Sequence, residues 1–237
     1  GLQLSLERNI HYNYLFFFKE EEIKKSLSKY KLLSKASEII NCDEAISMSD
    51  VPSEVLKTKK KSSMSETISS VSNRNADAAL SFGNTGALMT FSLLLIRTLK
   101  DIRRPAIASI WPNIRGDSII LDLGANTKLD PRFLIDNALL GSSLASILFQ
   151  IEKPSIGLLN VGTEKSKGND ELRITSEKLQ ELDRFSIINY VGFVEGNDIS
   201  LGKTNVVVTD GFSGNVALKT AEGTAKMIQS HLKDAFN

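Results

Sequence analysis

The chain has 237 residues, of which 41% are apolar and 24% are charged, as in ordinary globular proteins. Its 29 Lys and Arg residues against 28 Asp and Glu residues give a formal charge of +1, which argues against a protein built mainly to coat nucleic acid or an anionic membrane. The single cysteine, Cys42, allows no intrachain disulfide, and the two histidines, His11 and His231, lie near opposite ends of the sequence. These counts predict a reducing compartment, and neither a Cys/His metal cluster nor a mechanism based on paired histidines.

Short strand and helix patterns alternate along the first hundred residues. Pro52 stands at the favoured first position of a helix, and Ser63 with Glu66 has the spacing of a capping box that begins another helix. The predicted elements are strand Tyr12–Phe18, helix Glu20–Ser28, strand Ser37–Asn41, a helix from Pro52, a helix from Ser63 to about Asn73, strand Ala76–Ser81 and helix Thr85–Leu99.

The remaining residues repeat the strand–helix alternation with longer helices. Runs such as SIILDL and NVVVTD are apolar on both faces, which is typical of parallel strands covered by helices on both sides. We predict one domain over residues 1–237, and no membrane-spanning segment, because the apolar run Gly86–Ile96 is too short to span. The predicted elements are strands Pro105–Ile110 and Ser118–Asp122, helix Pro131–Glu152, strand Ser155–Val161, helix Asp170–Leu182, strands Ile187–Val191 and Asn205–Thr209, and helix Val216–Asp234.

Nine of the fifteen glycines fall in five loops, each of which follows a predicted strand. Such loops meet at one edge of a parallel sheet, where ligands bind, and glycine-rich approaches to helices present backbone N–H groups to anions. The pattern predicts a site for phosphate or another compact oxyanion, although each loop taken alone is equally typical of a turn. The loops are SFGNTG (Ser81–Gly86), LDLGAN (Leu121–Asn126), NVGTEKSKGN (Asn160–Asn169), VGFVEG (Val191–Gly196) and TDGFSGN (Thr209–Asn215).

Two side chains in these loops are candidates for direct chemistry. Lys167 lies between Thr163 and Gly168-Asn169 and could neutralise phosphate as a point charge, or be a solvated surface lysine. Asn215 could steady an oxyanion or cap the last helix. Asp122 and Asp210 end strands and are interpreted as Asx-turn residues that hold their loops.

Several functional classes lack their sequence signatures. Neither G-x-x-x-x-G-K-[ST] nor G-x-G-x-x-G occurs, and no His, Cys or carboxylate group has metal-ligand spacing, so no metal or organic cofactor is predicted. The basic run Lys57–Lys61 is interpreted as a solvated helix end that could also guide an acidic partner.

The loops together resemble those of the PlsX-type phosphate acyltransferases of bacterial phospholipid synthesis. The similar stretches occur in order from Glu44 to Lys233. They are KTKKKSSM, SFGNTGALM, RRPAIA, LDLGAN, GLLNVGTEKSKGNDEL in broken form, and VVVTDGFSGNVALKTAEGTA. Such a series is far more specific than any single loop.

The resemblance implies a three-layer α/β/α Rossmann-like fold with a mostly parallel sheet, as in the isopropylmalate dehydrogenase and phosphotransacetylase group. It implies a cytoplasmic homodimer, in contact with the inner face of the membrane, that passes a fatty acyl group from acyl carrier protein to inorganic phosphate. A membrane glycerol-3-phosphate acyltransferase then uses the acyl phosphate. The implied catalytic residues are Lys167 and Asn215, and the implied phosphate-binding residues are Gly83, Asn84, Thr85, Gly124, Asn126, Thr163, Gly211, Ser213 and Gly214.

The sequence also departs from the family pattern. It lacks the family's initial strand with its Asp-Ala-Met-Gly-Gly-Asp loop, and Lys19-Glu20 stands where the family has Gly-Asp. The family also continues beyond Asn237. Two alternatives follow, namely a weak or inactive remnant that self-associates, and a phosphotransacetylase-like enzyme on the same fold. A decarboxylating dehydrogenase would need metal-binding aspartates, and the sequence shows no such cluster.

Overall fold

The computed structural model describes residues 1–8 and 12–236, so that His11 and Asn237 lie outside the described residues. The chain divides into two compact units, Gly1–Lys100 and Asp101–Asn237. We call them unit 1 and unit 2. The single domain over residues 1–237 stays a prediction.

Unit 1 is mostly helical and contains one pair of parallel strands, β1 and β2. Ile23, Leu27 and Leu33 form an apolar cluster beside these strands, and a second cluster joins Val55 and Phe91 on the later helices. The elements are α1 (Leu2–Glu7), β1 (Tyr14–Phe18), α2 (Glu20–Leu27), α3 (Lys31–Lys35), β2 (Ser37–Asn41), α4 (Pro52–Thr58), α5 (Ser63–Ser72) and α6 (Thr85–Leu95).

Unit 2 contains a five-stranded sheet in the order β3-β4-β7-β5-β6. All neighbouring strands are parallel except β3 and β4, which pair antiparallel because a two-residue turn, Ile114-Arg115, leaves no room for a crossover. The elements are β3 (Ala108–Asn113), β4 (Gly116–Leu121), α7 (Pro131–Phe149), β5 (Ser155–Leu159), α8 (Asp170–Arg184), β6 (Asn189–Val194), α9 (Gly196–Leu201), β7 (Val206–Val208) and α10 (Gly211–Phe236).

Alternate side chains of the sheet enter two apolar clusters on its opposite faces. Val206 and Val208 pack on one face with Leu134 of α7 and Leu179 of α8, whereas Val207 packs on the other face. Ile199 of α9 and Leu218 of α10 cover that second face. Helices therefore lie on both sides of a mainly parallel sheet, which is the three-layer arrangement that the apolar strands predict.

Three element predictions are wrong in type or position. Ala76–Ser81 is not a strand, since it contains a single large apolar side chain, Leu80, which is 66% exposed. The N-cap of α5 is Ser62, whose hydroxyl accepts the N–H of Ser65, rather than Ser63. α6 ends at Leu95 instead of Leu99. Arg97, which follows with a φ of 68°, does not continue it.

Other boundaries differ by a few residues for local reasons. β6 continues through Gly192, whose φ of 103° accompanies a shift of register against β5, so VGFV belongs to the strand. α10 begins at Gly211 rather than Val216 because the Asp210 carboxylate accepts the N–H groups of Phe212 and Ser213.

α7 is long and apolar enough to cross a membrane by length and composition. Its buried residues, however, lie along one face that packs on β4, β5 and β7. Gly141 on this face leaves no space for a Cβ, which would meet Val206 Cγ1 at 2.6 Å. We therefore interpret α7 as the core helix of unit 2.

The same helix carries an unpaired amide in the interior. Asn137 is fully buried, and among the described residues neither its Nδ2 nor its Oδ1 has a hydrogen-bond partner. Asp136 Oδ2 beside it is also unpaired, and burial raises the pKa of that carboxyl. Such groups have lost water without gaining a partner, so the amide lowers the stability of unit 2.

We expect Asn137→Leu to raise the free energy of unfolding by about 1–3 kcal/mol, because it removes two unpaired polar atoms at nearly constant volume. Urea unfolding followed by circular dichroism measures the change. Asn205→Leu is the matched control and should lower stability, since Asn205 Oδ1 accepts two hydrogen bonds from Ser155, both of 2.9 Å. A lower stability of Asn137→Leu would show that the amide has a partner in solution.

Candidate active site

The loop after β4 is organised around one buried carboxylate. Asp122 accepts the N–H groups of Gly124, Ala125 and Asn126 at 2.8–3.1 Å. It also accepts the Asn126 side-chain amide at 2.9 Å and the N–H of Ile107 at 3.1 Å. The prediction that Asp122 holds its loop as an Asx-turn residue is therefore confirmed.

The turn after β7 has a second organising carboxylate. Asp210 Oδ1 accepts the N–H groups of Phe212 and Ser213 at 2.9 and 3.0 Å, as predicted for an Asx turn. The N–H of Gly211 donates to Asn126 O at 2.8 Å, and that of Gly214 donates to Asp210 O at 2.9 Å. All four N–H groups at the start of α10 are thus bonded within the chain.

The two turns interlock through glycines. A Cβ on Gly214 would collide with the carbonyl oxygen of Asp122, and one on Gly211 would lie 2.7 Å from Asn126 O. Gly124 has a φ of 135°, and its open side faces the amide of Asn215. Gly211 and Gly214 are needed because two backbones meet there at a distance that excludes a side chain, and Gly124 is needed for its positive φ and for the room that Asn215 takes.

Asn215 lies in the second turn of α10 and is exposed, not at the helix N-cap. Its Nδ2 donates to Leu123 O at 3.1 Å, which fixes the amide against the loop after β4. A primary amide has two N–H donors and an acceptor oxygen, so one donor remains for another group. Ser213, two residues earlier, is half-buried beside it.

The loop after β5 carries Thr163 and Lys167, both exposed. Asn160 begins this loop, and its Nδ2 donates to Lys167 O at 3.2 Å. A Cβ on Gly162 would lie 2.9 Å from Lys167 Cγ, so Gly162 packs against the aliphatic stem of the lysine. The Lys167 ammonium makes no ion pair with any residue in 1–8 or 12–236.

These three loops lie at one edge of the sheet, because β4, β7 and β5 are parallel neighbours and each loop follows a carboxyl end. The chain passes from β4 to α7 on one face, but from β7 to α10 on the other. A change of face between adjacent strands opens a crevice at their carboxyl ends, which is where open α/β sheets bind ligands. This edge is our candidate active site.

The SFGNTG residues belong to unit 1, and the loop does not follow a strand. Asn84 is the N-cap of α6, and its Oδ1 accepts the N–H of Ala87 at 3.0 Å. Its Nδ2 donates to the carbonyls of Ser47, Met48 and Asp50. The side chain of Asn84 is therefore committed to structure, whereas Thr85 is exposed at the first position of the helix.

The predicted site residues thus fall into three groups. Six of them share the interlocked turns, Thr163 and Lys167 share the loop at the same edge, and three lie in unit 1. The six are Gly124, Asn126, Gly211, Ser213, Gly214 and Asn215. The three in unit 1 are Gly83, Asn84 and Thr85, and the binding and catalytic roles of all these residues stay predictions.

No group of three or more His, Cys, Asp or Glu side chains in the described part of the chain is placed to hold a metal ion. Cys42 is buried in unit 1, and burial raises the pKa of its thiol, with the charges of Glu66 and Asp43 adding to the rise. A thiol of this kind is a poor nucleophile.

Comparisons with known proteins place the chain in a family. A model of the family described as "Fatty acid synthesis protein" matches residues 1–237. Proteins named phosphate acyltransferase are 48% identical in Azorhizobium caulinodans and 47% identical in Chelativorans, over 100% and 98% of this chain. The chain belongs to the fatty acid synthesis protein family. It spans about two thirds of the length of these relatives (67% and 66%), and the resemblance to PlsX-type proteins is confirmed.

Solved structures support the fold of this family member. A phosphotransacetylase from Staphylococcus aureus matches with a TM-score of 0.59 and 15% identity, over 95% of this chain and 86% of that one. A branched-chain phosphotransacylase from Enterococcus faecalis matches with a TM-score of 0.51 and 12% identity, over 88% of this chain and 84% of that one. At these identities the likeness concerns the fold alone, and it confirms the predicted Rossmann-like class.

Asn160 and Gly162 were not among the predicted site residues, although they position the backbone and the stem of Lys167. The available signal was the place of Asn160 directly after an apolar strand, followed by a glycine two residues later. A buried asparagine at a strand end is a typical organiser of the loop that follows.

We expect Asp122→Ala to lower the free energy of unfolding by about 3 kcal/mol or more, since it leaves several N–H groups without an acceptor. Urea unfolding measures this change. Asp130→Ala is the control, because Asp130 is an N-cap that accepts the single N–H of Arg132 and should cost only about 1 kcal/mol. Equal effects of the two substitutions would contradict the organising role of Asp122.

Two glycines of α10 should respond to alanine with opposite signs. Gly214→Ala should destabilise by about 1–3 kcal/mol, because the new methyl group collides with the backbone of Asp122. Gly223→Ala should stabilise by about 0.5–1 kcal/mol, because it meets open space and alanine favours the helix. Thermal unfolding of both variants compares them, and a stabilising Gly214→Ala would exclude the close approach of the two turns.

Proposed function

We propose that this protein transfers a fatty acyl group from the thioester of acyl carrier protein to inorganic phosphate, which yields acyl phosphate. The observation that carries the proposal is a lysine, unpaired among the described residues, at the carboxyl edge of the sheet in a chain 45–48% identical to proteins named phosphate acyltransferase. The names of the relatives support an acyltransferase role in fatty acid or lipid synthesis. That the acyl donor is acyl carrier protein and the acceptor is phosphate is our proposal.

In this reaction phosphate is itself the nucleophile. One phosphate oxygen forms a bond to the thioester carbonyl carbon, and the carbonyl electron pair moves to its oxygen. When the carbonyl reforms, the carbon–sulfur bond breaks and the carrier leaves as a thiolate that takes up a proton. The protein must therefore hold phosphate beside the carbonyl and stabilise the tetrahedral oxyanion, and needs no side chain as a covalent nucleophile.

Whether a residue can contact the substrate directly depends on whether its hydrogen-bond donors are already used within the chain. Because Asp122 and Asp210 accept the N–H groups of their own turns, Gly124, Gly211 and Gly214 would shape the site by close packing. Asn126 is held similarly, since its amide donates to Pro105 O and to Asp122. Direct contacts would come from the side chains of Thr163, Lys167, Ser213 and Asn215.

Lys167 would neutralise phosphate, and the remaining N–H of Asn215 would stabilise the oxyanion. At the start of α6, Thr85 would offer its backbone N–H to an anion, while Asn84 fixes the turn through its own hydrogen bonds. The N–H of Gly83 donates to Ser81 Oγ at 3.2 Å, so Gly83 would shape this turn by its lack of a side chain. Of the first helical turn, only the N–H of Ala87 is used by that cap.

The proposal includes the wider setting that the family resemblance implies. The protein would act in the cytoplasm as a homodimer, at or near the inner face of the membrane, and a membrane glycerol-3-phosphate acyltransferase would consume its product. The exposed side chains of Met227, Ile228 and Leu232 along α10 support self-association. No contact with nucleic acid is proposed, in line with the formal charge of +1.

The decisive experiment measures acyl phosphate formed from acyl carrier protein thioester and labelled phosphate. We expect Lys167→Ala to lower turnover by about a hundredfold, the effect typical of losing one transition-state charge partner, with little change in thermal stability. Lys165→Ala is the matched control, since Lys165 is an exposed lysine of the same loop.

Two results would overturn this assignment. Equal activity losses for Lys165→Ala and Lys167→Ala would show that turnover depends on the total charge of the loop and not on Lys167 in particular. A large loss of stability with unchanged phosphate affinity would show that Lys167 has a structural role.

The same assay separates the two reaction classes. Acyl transfer to coenzyme A but not to or from the carrier protein would favour the phosphotransacetylase-like alternative.

A further inference from the structure

Unit 1 contains an apolar groove to which the proposed chemistry assigns no ligand. Its volume is about 400 Å³, within the roughly 300–1,000 Å³ of small-molecule sites. Among the residues that the structure describes, no charged side chain lines it, and its polar lining includes the hydroxyl groups of Ser63, Thr67 and Ser81. Its large apolar lining residues are Phe17, Phe18, Ile46, Met64, Leu80 and Phe82.

Two of these side chains are exposed to an unusual degree. Phe82 is 91% exposed and Leu80 is 66% exposed, although both border an existing groove. Large apolar side chains at the rim of a concave apolar surface indicate a site for an apolar ligand. The lining hydroxyls add no charge that would oppose a hydrocarbon.

One end of the groove reaches the start of α6. Gly83 lines the groove, and the next residue, Asn84, is the N-cap of that helix. Met64 Cε lies 3.0 Å from the position that a Cβ of Gly83 would occupy, so the buried side chain of Met64 packs against Gly83. A hydrocarbon in the groove would therefore end beside the turn that we propose for anion binding.

A basic turn is bonded to one of the lining residues, Ala45. Lys59 Nζ donates to Ala45 O at 3.0 Å and to Asp50 Oδ2 at 2.6 Å, and Ala45 lines the groove. Lys60 and Lys61 follow, exposed, and the chain then enters the groove at Ser63. An apolar chain attached to an acidic protein would match this combination of an apolar groove and exposed positive charge.

We propose that the groove binds the fatty acyl chain of the thioester substrate, and that Ala45 and Phe82 set the chain length that fits. This inference rests on the proposed acyl transfer. It assigns the hydrocarbon of the substrate to unit 1. Ala45 is an exposed lining residue with a small side chain, and the exposed ring of Phe82 adds to the apolar lining.

The test measures binding of octanoate, laurate and palmitate to the whole chain by isothermal titration calorimetry, without turnover. We expect Ala45→Phe to weaken palmitate binding about tenfold, a 1.4 kcal/mol change, while octanoate binding stays near that of the unchanged protein. Phe82→Ala should weaken laurate and palmitate more than octanoate. Because Phe82 is 91% exposed, that variant should fold even if Ala45→Phe does not. Ala108→Phe, the same substitution at an exposed position of β3, should change nothing.

Each contrary result has a distinct meaning. Absence of saturable palmitate binding, or unchanged palmitate binding in both groove variants, overturns the assignment. If Phe82→Ala instead dissociates an oligomer with fatty acid binding unchanged, the groove is an interface between copies and the proposal is wrong. Chain-length-dependent binding without any acyl transfer would keep the groove assignment and reject the proposed reaction.

Discussion

The carboxylate of Asp122 is the interaction on which the candidate active site depends. It is fully buried at the end of β4, and five N–H donors from four residues point to it. A buried carboxylate is tolerated only with such compensation, so its presence fixes the path of the following loop. That path brings Asn126 O to the N–H of Gly211 and thereby sets where α10 begins. Two glycine-rich turns from strands β4 and β7 become one rigid structure.

This arrangement also shows why glycine-rich turns at strand ends are ambiguous as phosphate signals. A turn that offers several N–H groups to an external phosphate and a turn that offers them to its own aspartate have nearly the same sequence. In LDLGAN and TDGFSGN the aspartate precedes the glycine, and in both cases its carboxylate accepts the N–H groups of the turn. In NVGTEKSKGN an uncharged asparagine stands at that position, and Lys167 lies seven residues later. The loop that has no aspartate at its strand end is the one whose lysine makes no ion pair with the described residues.

The sequence was informative about the fold wherever a residue acts through its own neighbours. The apolar strands, the helix that begins at Pro131 and the Asx-turn roles of Asp122 and Asp210 follow from local pattern and were predicted correctly. Features that depend on distant partners could not be obtained in this way. From the sequence, Gly214 is an ordinary loop glycine. In the structure the carbonyl of Asp122, ninety-two positions earlier in the chain, occupies the space that a Cβ of Gly214 would need. Asn84 likewise suggests an anion ligand until the carbonyls of Ser47, Met48 and Asp50 take up its amide.

The same distinction separates the rigid and the adaptable parts of the proposed site. The interlocked turns rest on buried hydrogen bonds and close backbone packing, so they can hold Asn215 in one geometry. Lys167 belongs to an exposed loop, where a long side chain keeps its freedom until an anion restrains it. The Asn160 side chain nevertheless donates to the backbone carbonyl of Lys167, and the aliphatic stem of this lysine packs against Gly162. In the proposed reaction phosphate is small and would arrive from solution, whereas the thioester would arrive on a protein. A fixed amide for the developing oxyanion and a tethered but mobile ammonium for the phosphate meet these two different requirements.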